Sequence, residues 1–361
     1  MNHNQAHIRV YEALQNGSSQ TQPELALATG LSLPAVIQAV QRLSQAKLLR
    51  EAGLVQKQGR PAKRLCLTPE EHPILTIDLG GSSMRAALFD LHGKRLAELE
   101  TISLFSFSKF SRRQALQHLQ EIATHFPQAK QLGICTPGIV TPAQNLENSW
   151  LFNLKTLHQH ELEQALQKPV RLENDARSAA WGELRRGHGS PDFAFMIFAF
   201  GIGAGIVLDG QLLRGRRGAA GEMSYLPPSY TDFQKPRLGA LAYSFFEALK
   251  EVSPDPTAAN WEARIFLRAE NGKKKEARAV QKAVQHLALA IAGIITTLDP
   301  ERIVLRQEFP HTQSLVLEPL QTMLGAMGLP TPLVLSALGR DAGLIGIGLL
   351  VAEALEQALL G

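Results

Sequence analysis

The chain has 361 residues, of which 45% are apolar and 19% are charged, as is ordinary for a globular protein. This length gives room for two or three domains, each able to bury its own core. No apolar run approaches the ~20 residues of a transmembrane helix, and residues 1–15 lack the apolar segment of a signal peptide. We therefore expect a cytoplasmic protein without a membrane partner.

The net charge of +4 is unevenly placed along the chain. Residues 1–68 carry eight Lys or Arg against three Asp or Glu, and the remainder carries 29 against 30. A basic head on a nearly neutral body is typical of a polyanion-binding module joined to another domain. On charge alone, a basic surface that only keeps the chain soluble explains the asymmetry equally well.

The two cysteines, Cys66 and Cys135, lie far apart, and neither belongs to a Cys-x-x-Cys pair. A disulfide framework or a thiolate zinc site is therefore not expected. Both cysteines have apolar neighbours, which predicts that they are small core residues.

Three short helices are predicted before residue 46. The first covers residues 7–14. The second starts after Thr21, where Glu24 gives capping-box spacing, and it stops at Gly30. The third starts at Ser32, a residue suited to an N-cap. Two helices joined by a tight glycine turn are typical of a helix-turn-helix.

The third helix is predicted to have an apolar face and a polar face. Its apolar positions follow i, i+3, i+4, i+7 spacing and should face the core: Val36, Ala39, Val40 and Leu43. Its outer face is predicted to hold Ala35, Ile37, Gln38, Gln41 and Arg42. Glutamine amides suit base edges, and an arginine suits a phosphate or a guanine. We predict that this helix enters the major groove, with these contacts to DNA: Ser32, Ala35, Gln38, Gln41 and Arg42.

The segment after this helix predicts a two-stranded wing. Apolar stretches at residues 54–55 and 65–67 bracket a Gly-Arg-Pro turn. Four basic residues are predicted to cluster at its tip and to contact DNA: Lys57, Arg60, Lys63 and Arg64. A stiff turn carrying one guanidinium suits a narrow minor groove, so we expect Arg60 to enter it. A helix-turn-helix pattern is mimicked by other three-helix bundles, but together with the wing it predicts DNA binding.

The sequence changes character at residue 74. Residues 74–90 predict an apolar strand ending in Asp78, a turn at Gly80 and Gly81, and a second strand. Actin-like ATPases hold nucleotide phosphates with such a loop, because glycines admit the phosphates and the carboxylate serves a metal. Three stretches follow: a strand with a Thr-Pro-Gly turn (132–140), an acidic segment entering a helix (172–183), and a glycine-rich run (201–222).

In this order, these stretches resemble the ROK family of repressors, open reading frames and sugar kinases, and residues 298–305 and 338–346 resemble its C-terminal motifs. The basic head resembles its repressor branch, of the xylose-repressor and N-acetylglucosamine-repressor kind. The resemblance implies an α/β fold class: a winged helix-turn-helix (1–70) followed by an actin-like two-lobed sugar-kinase fold (71–190 and 191–361). The last helix could pack back on the first lobe. The family also associates through its body, which implies a homodimer or tetramer.

The resemblance implies a sugar site at Asn174, Asp175 and Glu222. Asp175 stands at the position of the family's catalytic base. A carboxylate near a hydroxyl serves either as a base or as a plain acceptor, so Asp175 does not separate a kinase from a sensor. The nearby arginines 214, 216 and 217 either meet a phosphate or form a solvated loop.

Several positions depart from the family pattern. Tyr225 and Ala240 replace zinc ligands, and Ala242 replaces a second sugar-binding Glu, so no metal is expected. The nucleotide site keeps these residues: Asp78, Gly80, Gly81, Gly201 and Gly203. It is degenerate because Ser83, Phe200, Arg306 and Gln307 replace phosphate- or adenine-site residues. Phosphoryl transfer depends on positioning and charge stabilisation, so we expect no catalytic residue and no cofactor.

The sequence thus predicts a DNA-binding transcriptional regulator, a repressor by resemblance, that no longer phosphorylates. We expect it to bind a double-stranded operator and to be controlled by a sugar or sugar phosphate held between the lobes. Two alternatives stay open: an active sugar kinase with an accessory DNA-binding head, and a ligand-independent DNA-binding protein.

Overall fold

The computed structural model describes residues 5–15, 17, 19–56, 61–80, 83–103, 112–147, 156–198, 201–229, 231, 239–256, 258 and 260–361. The N-terminal unit, here called the head, contains α1 (Ala6–Leu14), β1 (Gln20–Thr21), α2 (Gln22–Thr29), α3 (Leu33–Gln45), β2 (Leu49–Val55) and β3 (Ala62–Leu67). Its strands form an antiparallel sheet in the order β1-β3-β2, which includes the predicted wing.

The ends of α2 follow the predicted signals. The backbone N–H of Thr21 donates to Glu24 Oε2 at 2.9 Å, which satisfies one of the unpaired amides at the helix start. Gly30 adopts a φ of 66°, a left-handed conformation that a residue with a Cβ disfavours. This glycine ends α2 and turns the chain into α3, so the predicted helix-turn-helix is confirmed.

The first lobe of the body contains β4 (Ile74–Leu79), β5 (Ser83–Phe89), β6 (Arg95–Ser103), α4 (Arg112–His125), β7 (Gln131–Thr136), β8 (Ile139–Val140), β9 (Leu146–Glu147), β10 (Thr156–Leu157), α5 (Gln159–Leu166), β11 (Val170–Asn174) and α6 (Asp175–Arg186). The second lobe contains β12 (Phe193–Phe198), β13 (Ile202–Leu208), β14 (Gln211–Leu213), α7 (Ala240–Lys250), α8 (Trp261–Glu270), α9 (Lys274–Leu298), β15 (Arg302–Leu305), α10 (Glu318–Ala326), β16 (Leu333–Leu335) and α11 (Ala342–Leu360).

The two five-stranded sheets share one topology. The first has the order β11-β7-β4-β5-β6 and the second β14-β13-β12-β15-β16. In each sheet the first three strands in the sequence form an antiparallel meander. The last two strands run parallel to the first strand of that meander, which is β4 in the first sheet and β12 in the second. A repeated sheet of this kind is the duplicated α/β architecture that the resemblance implied.

Two helices cross between the sheets. Helix α6 follows the first sheet in the chain but packs on β12 and β13 of the second, whereas the final helix α11 packs on β4 and β7 of the first. The two helices also pack on each other. The residue at which one lobe ends and the next begins stays a prediction.

Helices α9 and α11 are each long and apolar enough to cross a membrane by length and composition. The length of these apolar helices was not predicted from the sequence. In the structure, the apolar side of α9 lies in the core of the second lobe, and α11 lies between α6 and the first sheet. Their apolar character is therefore accounted for by burial within the protein.

Candidate functional sites

Helix α3 presents a mixed face to solvent. Ser32 Oγ accepts a hydrogen bond from the Ala35 N–H at 3.4 Å, so Ser32 caps the helix as predicted. The four predicted core positions are buried against α1 and α2: Val36, Ala39, Val40 and Leu43. Ile37, Gln38 and Gln41 are exposed. The placement of Ala35 on the outer face was wrong: it is only 8% exposed, so the buried side of α3 is wider than its apolar spacing indicated.

The basic residues that were predicted to contact DNA divide into three groups. Lys63 is exposed on the wing and pairs with Glu51 at 2.6 Å, and Arg42 donates to the Leu360 carbonyl at 3.4 Å from the exposed end of α3. Arg64 was wrongly placed at the wing tip. It donates to the Ser19 carbonyl and so braces β3 at the base of the wing. The predicted tip contacts Lys57 and Arg60 lie outside the described residues.

Two of the predicted sugar residues, Asn174 and Asp175, lie where β11 runs into α6. Asn174 caps α6, since its Oδ1 accepts the Arg177 N–H at 3.0 Å, and its Nδ2 donates to the Gly138 carbonyl at 3.1 Å. The same amide lies 3.5 Å from Glu222 Oε1 in the second lobe. The structure thus brings Asn174, Asp175 and Glu222 together, although Asn174 already holds the local backbone.

Asp175 and Glu222 share an environment that opposes negative charge. Burial, together with the nearby charge of Asp78, raises the pKa of Asp175 to about 6 against the attraction of Arg306. Burial and the charge of Asp175 raise the pKa of Glu222 to about 7. Near neutral pH these groups can accept or donate hydrogen bonds, which suits hydroxyl-rich ligands.

Asp78, the predicted metal-serving carboxylate, forms an ion pair with Arg85. Arg85 lies directly opposite it on β5 and donates from Nη2 to Asp78 Oδ2 at 3.2 Å. The other end of the guanidinium bonds Asp341 at 2.8 Å, just before α11. Both Asp78 and Arg85 are largely shielded from solvent. Sequence reasoning missed Arg85, although its cross-strand register with Asp78 was the available signal.

A second guanidinium enters the same region from the second sheet. Arg306 follows β15, is largely shielded from solvent and forms an ion pair with Glu308. Its pKa is raised because the attraction of Glu308, Asp78 and Asp175 outweighs the cost of burial. A permanent positive charge therefore lies near Asp78 and Asp175, the first of which is the predicted metal-serving carboxylate.

Two glycines of the glycine-rich run lie in close backbone contact, one with α6 and one with β13. A Cβ on Gly205 would overlap the Ala176 carbonyl, and a Cβ on Gly221, whose φ is 83°, would overlap that of Ala204. Gly201 and Gly203 have more room; their nearest neighbours are Ser224 and Ala176. Two predicted nucleotide-site residues, Gly81 and Phe200, lie outside the described residues, as does the side chain of Ser83.

A buried ion network beside the site was not predicted. Arg177 Nε donates to Glu173 Oε1 at 2.7 Å, and Arg214 reaches Glu173 Oε2 at 3.0 Å from the second lobe. Arg177 also donates to the carbonyls of Gly218 and Val140. The four-residue spacing of Glu173 and Arg177 was the signal. Arg214 is thus anchored to a buried carboxylate, while arginines 216 and 217 remain exposed.

The residues at the family's zinc position do not fit a zinc ion. Tyr225 is 39% exposed and presents a phenol, and Ala240 is buried at the start of α7. Ala242, at the position of the second sugar-binding Glu, is buried as well. Cys66 lies in the wing and Cys135 in the first sheet, so neither can supply a thiolate there. Among the described residues, no group of three or more His, Cys, Asp or Glu could hold a metal.

The fold and sites define a two-lobed actin-like protein of the sugar-kinase type with a winged helix-turn-helix head. Residues 74–354 match the model of the ROK family, and residues 3–50 match a winged helix-turn-helix DNA-binding model. The chain therefore belongs to the ROK family, and its predicted fold class is confirmed.

Two of the curated relatives of this chain are enzymes. The bifunctional enzyme NanE/NanK of Brucella melitensis is 34% identical over 195 residues, which cover 52% of this chain and 36% of that protein. This chain thus matches about a third of that enzyme's length. The N-acetylmannosamine kinase of Salmonella heidelberg is 29% identical over 292 residues, covering 76% of this chain and 97% of the kinase.

Of two similar solved structures, one is a transcriptional regulator and the other is a hexokinase. A ROK family transcriptional regulator, a homolog of the E. coli MLC protein, superposes with a TM-score of 0.74 at 23% identity and covers 99% of this chain and 98% of its own. A ROK hexokinase from Thermus thermophilus gives 0.59 at 25% identity and covers 79% of this chain and 99% of its own. Only the first of these two spans essentially the whole chain.

Proposed function

We propose that this protein is a transcriptional regulator, acting as a repressor in the cytoplasm, that binds operator DNA through α3 and the β2–β3 wing and no longer phosphorylates sugars. The observation that carries the proposal is that a chain with a winged helix-turn-helix head has its Asp78 in an ion pair within the protein. In place of a free metal-serving carboxylate, Asp78 is bonded to Arg85, which is itself held by Asp341. Nucleotide binding would require this network to break.

The charge distribution supports the loss of phosphoryl transfer. Transfer needs a metal and donors that neutralise charge as it develops on the phosphoryl group. Arg85 and Arg306 already neutralise the carboxylates of this region, so a divalent cation would meet two fixed guanidinium groups. The residues present do not fit a nucleotide with its metal.

We propose that the effector is a sugar or sugar phosphate bound by Asp175 and Glu222. Two carboxyl groups with raised pKa values, one from each side of the interlobe site, suit the hydroxyls of a sugar. The N-acetylmannosamine kinase and the hexokinase among the relatives favour a hexose or amino hexose. A homodimer or tetramer would pair two heads on a two-fold operator.

Selection of bound duplexes from a random DNA pool by the full chain tests the DNA-binding half. We expect a two-fold symmetric consensus whose affinity falls steeply with salt. Titration of the selected complex with N-acetylmannosamine, glucose and their 6-phosphates should change operator affinity for at least one of them. No enriched consensus would overturn the proposal, and enrichment without any sugar response would support the ligand-independent alternative.

The kinase alternative is favoured by one observation. Asp175 is retained at the position of the family base, and a carboxylate with a pKa of about 6 suits general-base work. Incubation with MgATP and the same unphosphorylated sugars separates the two functions. We expect no ADP above the level of an Asp175→Asn control, and turnover that depends on Asp175 would establish the kinase instead.

A further inference from the structure

Helix α6 runs from the proposed sugar site to the region where its last turn contacts α11 and the β5–β6 turn. Asn174 caps the helix and Asp175 is its first residue, whereas Arg185 and Arg186 form its last turn. Its 12 residues span about 18 Å. A rotation or shift of the helix at its N-terminal end would therefore also move the two arginines.

Helices α6 and α11 touch through their backbones. A Cβ on Gly182 would lie 2.5 Å from the Ala342 carbonyl, and a Cβ on Gly346 would overlap the Ser178 carbonyl. Helices in backbone contact have no side-chain layer that could repack and absorb a small displacement. The two helices should move as one body.

The last turn of α6 is fastened to α11 and to the first lobe by polar contacts. Arg185 Nε lies 3.1 Å from Glu353 Oε1 on α11, and its guanidinium stacks 4.4 Å from the Trp181 ring centroid. Arg186 Nη2 donates to the His92 carbonyl at 2.7 Å. His92 lies in the turn between β5 and β6.

The same two elements hold the head. The Tyr11 hydroxyl on α1 donates to Glu356 Oε1 on α11 at 2.6 Å and lies 3.3 Å from His92 Nε2. The Leu360 carbonyl, at the end of α11, accepts from His7 on α1 and from Arg42 on α3. Apolar residues of α11 complete the core of the head: Val351, Ala352, Leu355 and Leu359. Helix α3 is thus bonded directly to the end of α11.

We infer that α6 and α11 together form the connection by which occupancy of the interlobe site changes the docking of the head, with Arg185–Glu353 and Tyr11–Glu356 as its two polar links. The inference rests on the proposed function for the meaning of the site, but the mechanical coupling stands on these contacts alone. A displacement at Asp175 passes along α6 to Glu353 and then, one turn further along α11, to Glu356 and Tyr11.

Hydrogen–deuterium exchange on the full chain tests the coupling without DNA or sugar. Asp175→Asn removes a charge from the site, and we expect it to change amide exchange in α1 by between about two- and thirtyfold, the range of coupling through packed elements. In a Tyr11→Phe or Arg185→Gln background, the same substitution should change α1 exchange by a smaller factor, because one polar link is lost while the apolar packing remains. Glu356→Gln keeps an acceptor for Tyr11 and should preserve the response.

The matched control is Lys282→Gln, which breaks an exposed ion pair with Glu251 in the second lobe and touches neither helix. It should leave the response of α1 to Asp175→Asn intact. The inference would be overturned if Asp175→Asn left amide exchange in α1 unchanged. It would also be overturned if the change in exchange were equally large in the Tyr11→Phe and Arg185→Gln backgrounds. Failure to bind operator would count against the proposed function only, since this readout contains no DNA.

Discussion

Arg177 and Glu173 form an ion pair of 2.7 Å whose side chains are 1% and 2% exposed. Removing one partner of a buried pair costs about 3–5 kcal/mol, and without Arg177 the buried Glu173 would keep only the partly exposed Arg214 as a partner. We therefore expect Arg177→Met to lower the free energy of unfolding by that amount in a urea titration. It would also free the carbonyls of Gly218 and Val140.

The matched control for this substitution is Lys282→Met. It removes the cation of an exposed pair, where the expected loss is below about 1 kcal/mol. Equal losses for the two variants would show that the buried network does not stabilise the junction between the lobes.

The interlobe carboxyl groups predict a pH-dependent stability. The pKa values of Asp175 and Glu222 are raised from 3.8 to about 6 and from 4.5 to about 7, so the folded protein holds these protons more tightly than the unfolded chain does. This stabilisation is fully present below pH 4 and is lost as the pH rises through 6 and 7. Each group adds a negative slope of up to about 1.4 kcal/mol per pH unit.

The measurement is urea unfolding across this pH range for the unmodified chain and for an Asp175→Asn, Glu222→Gln double variant. The double variant lacks both titrating groups, so its unfolding free energy should fall less between pH 4 and 7. Parallel curves for the two proteins would contradict the assignment of raised pKa values to this pair.

The exposed face of α3 predicts where operator affinity resides. A glutamine that reads a base edge contributes about 1–3 kcal/mol, so Gln38→Ala should weaken binding to a selected duplex by roughly 5- to 150-fold. Gln281→Ala changes an exposed glutamine of α9, far from the head, and serves as the control. Fluorescence anisotropy at fixed salt measures both, and equal affinities would remove Gln38 from the interface.

Two glycines in long helices should respond oppositely to alanine. Gly346 of α11 lies against the Ser178 carbonyl, so Gly346→Ala forces the helices apart and should cost about 1–3 kcal/mol. Gly293 of α9 has no neighbour within 4 Å of its Cβ position, so Gly293→Ala should stabilise the protein by about 0.5–1 kcal/mol. If the urea midpoints of both variants shift in the same direction from that of the unmodified chain, the close contact of α6 and α11 is contradicted.

Local signals in the sequence predicted the head well. The Thr21–Glu24 spacing, Gly30 and Ser32 each act within a few residues of their own position, and the structure has them as caps and turns. Ala35 was misplaced because helical periodicity gives the direction of a face but not the width of the surface that packs against it.

Long-range pairings were beyond such signals. Tyr11 and Glu356 are 345 residues apart, and Arg85 and Asp341 are 256 apart, so no spacing rule connects them. The same holds for Arg214, which was predicted either to meet a phosphate or to lie in a solvated loop, although it bonds to buried Glu173 across 41 residues. Family resemblance located the interlobe site, but only the fold shows which of its charges are already paired.

The unequal settings of the two cysteines have a practical consequence. Cys135 is buried in β7, and burial together with the charges of Asp78 and Asp175 raises its thiol pKa well above the ordinary value, so it should resist alkylation. Cys66 is partly exposed on β3, contrary to the expectation that it is a core residue. A maleimide dye should therefore label the native chain at a single place, the wing, and report its approach to DNA in real time.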